Sequence, residues 1–166
     1  MAFGQLHASH DGSMTNLFLT FRSEEERFGL SIHEVREIIS YQKITKVPEQ
    51  PDFIKGIINL RGNVIPTIDV RKRFGQNLGQ YNDHTCIIIV DMAGVNAGLI
   101  VDEVLEVLTL SMNDISELPA IHANEDGKYI SGVGKRNKEL FMLLECNRLF
   151  NEQQLNEFKN VIESST

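Results

Sequence analysis

The stretch that decides the fold runs from Phe53 to Asp69, F-I-K-G-I-I-N-L-R-G-N-V-I-P-T-I-D, and its pattern returns from Ile130 to Glu145. An apolar run, a tight turn with glycine and a second apolar run predict a strand pair in both places. Between the first pair, Arg61-Gly62-Asn63 supplies a glycine and an asparagine, residues that tolerate positive φ, so the turn is short. At a spacing of 76, Ile54, Gly56, Val64, Ile65, Ile68, Asp69 and Phe74 fall on Ile130, Gly132, Leu140, Phe141, Leu144, Glu145 and Phe150.

A second spacing lies upstream. At 69 residues, G-L-S-I-H-E-V-R-E-I-I from Gly29 overlays G-L-I-V-D-E-V-L-E-V-L from Gly98, and Gly29, Leu30, Glu34, Val35 and Glu37 meet identical residues. The difference between the spacings places seven extra residues in the second copy, around Ser116 to Lys128; loop insertions cost little closure entropy. One half-domain used twice is the reading, which points to a scaffold rather than an active site. A polar, glycine-containing stretch from Gly75 to Asp83 separates the copies, and the terminal strands are expected to cross that boundary.

The elements follow from the same alternation. Strands are predicted at Asn16–Phe21, Phe28–Ile32, Lys43–Val47, Gly56–Leu60, Asn63–Ile68, Thr85–Asp91, Val95–Val101, Val104–Leu110, Tyr129–Lys135 and Glu139–Glu145. Glu34–Ile39 reads as a helical turn or a strand, and Pro51–Ile54 as one helical turn. Asp69 is the expected N-cap of a short helix Val70–Phe74 ended by Gly75. Asn151–Ile162 carries Leu155, Phe158, Val161 and Ile162 at helical spacing, the pattern of an amphipathic closing helix.

Composition bounds the function. The 166 residues are 42% hydrophobic and 23% charged, enough for a sizeable core, and the net charge of -7 argues against binding nucleic acid through a basic face. The tight basic run Arg71-Lys72-Arg73 reads as a solvated helix face. No segment reaches the ~18 apolar residues of a membrane span. The first residues lack the pattern of a secretory signal, so the expected location is cytoplasmic. Cys86 and Cys146 lie in apolar runs and read as buried, unpaired thiols.

Chemistry is sparse. His7, His10, His33, His84 and His122 are scattered without metal-ligand spacing, and neither a nucleophile elbow nor a complete phosphate loop occurs; Gly132 to Lys135 reads as a turn. No catalytic residue, cofactor or metal is expected. A small-ligand-binding or catalytic β-barrel remains the alternative of another class.

Taken together, F-G-L-S-I-H-E-V-R-E-I-I, P-D-F-I-K-G-I-I-N-L-R-G-N-V-I-P-T-I-D-V-R-K-R-F and A-G-L-I-V-D-E-V-L-E-V-L resemble the CheW family of bacterial chemotaxis coupling proteins, over about Asn16 to Phe150. The resemblance implies a mainly β fold of two SH3-like β-barrel subdomains in tandem, with short helices and a C-terminal helix. Its expected division is an extension at 1–15, expected to be mobile, a CheW-like domain at 16–150, and a helix and tail at 151–166. Within that domain the first barrel covers about 16–75 and the second about 84–150. With no receiver domain after Thr166, the expected likeness is to stand-alone members rather than to the CheV architecture.

The same resemblance implies a non-catalytic adaptor that links the regulatory domain of a CheA-type histidine kinase to the cytoplasmic hairpin of chemoreceptors. Recruitment to membrane-associated receptor arrays is expected, with no direct membrane insertion. A CheW-like scaffold of a non-motility chemosensory pathway fits the residues equally. The expected kinase surface is on the second barrel. Val35, Val104 and Val107 read first as core positions, while the resemblance puts their neighbourhood, with Ile38 and Ile39, at the groove between the barrels, where some of the five are expected to stay exposed to a receptor hairpin. Gly56, Gly62 and Gly132 read first as backbone requirements and also border partner surfaces in the family. Arg61 has no reason to enter a core unpaired, and the resemblance implies that Glu37 lies close enough to pair with it.

Overall fold

The computed structural model describes residues 16–48, 50–77, 79–117 and 129–165. The extension at 1–15, the inserted residues at 118–128, and His7, His10 and His122 lie outside them. Within the described residues the chain forms β1 (Asn16–Ser23), β2 (Glu26–Ser31), β3 (Val35–Ser40), β4 (Gly56–Leu60), β5 (Asn63–Asp69), α1 (Val70–Arg73), β6 (Cys86–Met92), β7 (Val95–Val101), β8 (Glu103–Leu110), β9 (Ile115–Glu117), β10 (Ile130–Arg136), β11 (Glu139–Leu144) and α2 (Glu152–Ser165). Glu34–Ile39 resolves into the end of a 3-10 turn, Ile32–Glu34, followed by strand β3. Lys43–Val47 does not form the expected strand. It contributes a single bridge, Thr45 to Ile57.

Two sheets result, ordered β8-β1-β2-β11-β10-β9 and β3-β6-β7-β5-β4. Each takes strands from both halves of the sequence. Neither 16–75 nor 84–150 builds a barrel by itself, because β1 and β2 pair with β8 and β11 of the second half, and β6 and β7 with β3 and β5 of the first.

The sequence spacings reappear as hydrogen-bond register. Thr67 pairs with Gly98 and Ile68 with Leu99; subtracting 69 and adding 76 gives the observed pairs Leu143 with Gly29 and Leu144 with Leu30. Likewise Ile38 opposite Ile88 matches Val107 opposite Leu19, and both ladders carry a register shift at the equivalent place. Because each half lends strands to the other reciprocally, the relation is an approximate twofold axis, the isologous arrangement of a symmetric dimer written into one chain.

Turn chemistry supports the hairpins. Arg61 and Gly62, with φ of 51° and 87°, and Asn137 and Lys138, with 53° and 68°, occupy the left-handed region that two-residue hairpin turns require. Gly62 suits this conformation, whereas Arg61 adopts it against its preference.

The main core lies between the sheets. Leu19, Phe21, Phe28 and Leu30 from one sheet join Ile88, Val90, Met92, Leu99 and Val101 from the other in one buried cluster. The opposite faces of β4 to β7 bury a separate cluster of Ile58, Ile65, Ile87, Ile89 and Ile100. Strand alternation explains the split, since Ile87 and Ile88 point to opposite faces. Helix α2 covers the edge of the main core with buried Phe158, whose ring meets Phe53 at 5.3 Å and Phe150 at 5.2 Å. Its start is fixed reciprocally: Gln154 N–H donates to Asn151 Oδ1 at 2.8 Å and Asn151 N–H donates to Gln154 Oε1 at 2.9 Å.

Arg71 overturns the reading of the basic run as a solvated face. It is 4% exposed, while Lys72 is open to solvent and Arg73 is half-buried. Asp69 caps α1 as expected, accepting from the Arg71 N–H at 3.0 Å, and also accepts from Arg71 Nε at 3.0 Å, Arg71 Nη2 at 2.6 Å and the Tyr81 hydroxyl at 2.9 Å. The stretch between the halves is thereby tied to β5. A buried guanidinium is tolerated because its charge and donors are matched. Hydrogen bonding to Asp69 holds the Arg71 pKa above its ordinary value, and burial pushes the Tyr81 hydroxyl up. Both cysteines are free; Cys146 is fully buried and Cys86 only partly. Burial raises both thiol pKa values, and most strongly that of Cys146.

Candidate functional site

Strand β3 stands at one end of its sheet and the β4–β5 hairpin at the other, with no ladder joining them among the described residues. The Arg61 side chain spans that opening. Its Nη1 donates to Glu37 Oε1 at 3.0 Å and its Nη2 to Glu37 Oε2 at 2.5 Å, a bidentate pair. Arg61 remains 65% exposed at the side chain and Glu37 18%. The hydrogen bond from Arg61 holds the Glu37 carboxyl below its usual range, and the same bond raises the Arg61 pKa.

The other sheet is joined differently at the corresponding opening. Arg136 Nη1 on β10 donates to the Thr109 carbonyl on β8 at 2.5 Å. Position 137, the repeat equivalent of Arg61, is asparagine, which suits the left-handed turn conformation. Arginine at position 61 is therefore explained by what its side chain reaches, not by what the turn prefers.

The apolar positions separate into three groups. Val35 is 4% exposed and belongs to the main core, so it offers no surface to a partner. Ile38, Val104 and Val107 pack on that same core from its edge and keep part of their surface open. Ile39 points the other way, onto the isoleucine cluster inside one sheet, because adjacent residues of a strand face opposite sides. The expected five-residue groove thus reduces to Ile38, Val104 and Val107; Ile38 and Val107 are repeat equivalents on the end strands β3 and β8.

The glycines divide as well. Gly56 and Gly132 are buried, and a Cβ there would stand 2.5 Å from the Thr45 carbonyl oxygen and 2.8 Å from that of Ser116. Their role is close backbone approach, so neither presents a partner surface. Gly62 is exposed in its turn and its N–H donates to Asn59 Oδ1 at 2.9 Å. The buried pair of Asp69 and Arg71 escaped sequence reasoning, although aspartate at a helix cap two residues before an arginine was a usable signal.

No group of three or more metal-ligating side chains occurs among the described residues. No helix there is long and apolar enough to cross a membrane. Ile38, Val104 and Val107 keep aliphatic surface open, while Glu37, one residue before Ile38, faces the other side of β3 with Ile39.

Comparison with known proteins gives this surface its context. The model of the CheW-like domain family matches residues 17–154. The chain belongs to the CheW-like family. It is 32% identical to the chemotaxis protein CheW of Klebsiella aerogenes over 147 residues, 89% of each chain. The chemotaxis protein CheW of Bacillus subtilis is 32% identical over 137 residues, covering 81% of this chain and 86% of that one. Among solved structures, the scaffolding protein TtCheW of Thermoanaerobacter tengcongensis is similar with a TM-score of 0.77 and 39% identity, over 83% of this chain and 94% of that one. The resemblance drawn from the sequence and the mainly β fold are both supported, and the CheW-like protein is a chemotaxis adaptor.

Proposed function

We propose that this CheW-like protein acts non-catalytically, holding the regulatory domain of a CheA-type histidine kinase and the cytoplasmic hairpin of a chemoreceptor together in membrane-associated arrays. The receptor hairpin binds at Ile38, Val104 and Val107, and Arg61, Glu37 and Gly62 form a coupling surface on the other side of β3. The kinase engages the six-stranded subdomain to which the second half contributes β8 to β11, so that both partners are held at once. The observation that carries this reading is the Glu37–Arg61 pair, formed at solvent-exposed cost to backbone preference and absent from the equivalent turn of the other sheet.

A partly open strip of three aliphatic side chains suits the apolar stripe of a helical hairpin, which buries little area per contact and relies on neighbouring polar groups for orientation. The test is a pull-down with a matching kinase fragment and a receptor hairpin. Simultaneous retention of both supports the adaptor; retention of neither, or mutual exclusion of the two, overturns it.

A further inference from the structure

The approximate twofold axis runs through a cleft that the coupling surface leaves unused. Its walls come from Phe53, Lys72 and Phe74 of the first copy and from their equivalents 76 residues later, Tyr129, Arg148 and Phe150. The ring contacts repeat under the same exchange, Phe53 with Phe150 at 5.0 Å and Phe74 with Tyr129 at 5.5 Å. Arg73 lies over the Tyr129 ring at 4.6 Å, fixed by an Nε–H bond to the Leu149 carbonyl at 2.7 Å. The cleft is open to solvent, with a volume of about 990 Å³, and an adjoining hollow of about 270 Å³ adds Lys46 and Lys55.

Its charge is opposite to that of the protein. The chain carries a net -7. Here Lys46, Lys55, Lys72, Arg73 and Arg148 gather around Asp52 and around Asp69, which Arg71 already neutralises. Arg148 pairs with Glu145 at 2.9 Å, and Lys72 donates to the Asp52 carbonyl at 2.7 Å. No carboxylate among the described residues stands within ion-pair distance of Lys46, Lys55, Lys72 or Arg73.

We propose that this cleft is a docking site for an acidic segment of a protein partner, one whose carboxylates alternate with apolar side chains. The reason is the arrangement of cations on either side of the axis with aromatic rings between them. A small anion would need donors converging on one point, and the cleft distributes them along its length. Several separated carboxylates meet several separated cations, while the rings accept the apolar side chains in between. This site is independent of the adaptor reading, because none of its residues belongs to the Ile38, Val104 and Arg61 surface.

The experiment uses the full chain and a fluorescein-labelled hexapeptide alternating glutamate with phenylalanine, followed by fluorescence anisotropy. Saturable binding is expected, weakened about tenfold or more in the double variant Lys72→Glu/Arg148→Glu and by raising sodium chloride to about 0.5 M. Arg61→Ala should bind as the parent does. Circular dichroism checks the fold, and the milder Lys72→Gln/Arg148→Gln pair serves should the charge reversal unfold the chain. Absence of saturable binding, indifference to both double variants, or equal binding of a lysine–phenylalanine peptide would overturn the proposal. So would calorimetry showing that citrate alone binds with the same dependence on Lys72 and Arg148, which would make the cleft a small-anion site.

Discussion

Arg61 and Glu37 join the two ends of one sheet: the guanidinium leaves a hairpin turn at one end and meets, through two hydrogen bonds, a carboxylate on the end strand at the other. The pair lies at the surface, where water and salt screen it, so its contribution to stability is small. Its geometry is nonetheless specific, since only a planar fork reaches both carboxylate oxygens. Arg61→Ala should therefore leave the melting temperature within a few degrees of the parent while reducing retention of receptor or kinase in the pull-down. Arg61→Lys should fail to restore coupling fully. A large fall in melting temperature with intact coupling would assign the pair to structure alone.

The three apolar positions that remain open make a sharper contrast with the one that does not. Val104→Asp should weaken receptor binding and leave the circular dichroism spectrum unchanged, because the carboxylate can reach water from a half-exposed site. Val35→Asp, its repeat equivalent, should destabilise the fold by at least on the order of 3 kcal/mol, since it buries a carboxylate without a partner. Equal effects of the two changes on denaturant midpoints would remove the distinction between core and groove.

The buried ion pair of Asp69 and Arg71 predicts a non-additive cycle. Arg71→Met leaves Asp69 in a site 5% exposed with one cation gone, and should cost about 3–5 kcal/mol in urea denaturation. Asp69→Leu combined with Arg71→Met should recover part of that loss, because the Asp69 carboxylate is no longer left buried, while Asp102, 3.7 Å from Arg71 Nη1, still loses its cation. Additive losses in the double variant would show that the two side chains act separately.

Glu34 supplies a pH dependence. Burial raises its carboxyl pKa, only partly offset by the Cys146 N–H that donates to Oε1 at 3.2 Å, and its buried Oε2 has no partner among the described residues. A folded-state pKa above the unfolded value of about 4.3 means that ionised Glu34 weakens the fold at neutral pH, and that this penalty fades as pH falls through the folded pKa. Glu34→Gln should raise the melting temperature at pH 7 and lose that advantage towards about pH 4. Glu37, whose pKa is lowered, has the opposite sign: its contribution is present at neutral pH and disappears as pH falls through its own folded value. A less stable Glu34→Gln at pH 7 would contradict this account.

Much of the fold could be read from the chain because hairpins are local. Apolar alternation around Arg61-Gly62 and in its repeat located both strand pairs to within a residue or two, and the 69 and 76 spacings carried the ladder register itself. Lys43–Val47 misled, since a short apolar alternation ended by Pro48 resembles a strand whether or not a neighbour is free to pair along it. Which of Val35, Ile38 and Ile39 stays open was left undecided for a related reason: they share a strand, but periodicity gives its two faces without saying what covers each.

What the sequence by itself determined is most of the strands, though not β3 or β9, their tight turns, the doubled half-domain and the family to which the chain belongs, because these depend on residue types a few positions apart or on repetition along the chain. What only the tertiary structure decided is which half each strand joins, that Arg71 is buried while Lys72 is not, that Val35 is core where Val104 is open, and that the copies meet in a cationic cleft. The physical reason is that burial is set by whatever the exchange of strands brings into contact across long stretches of chain, as in the 112 residues between Glu34 and Cys146, and no local pattern records those neighbours.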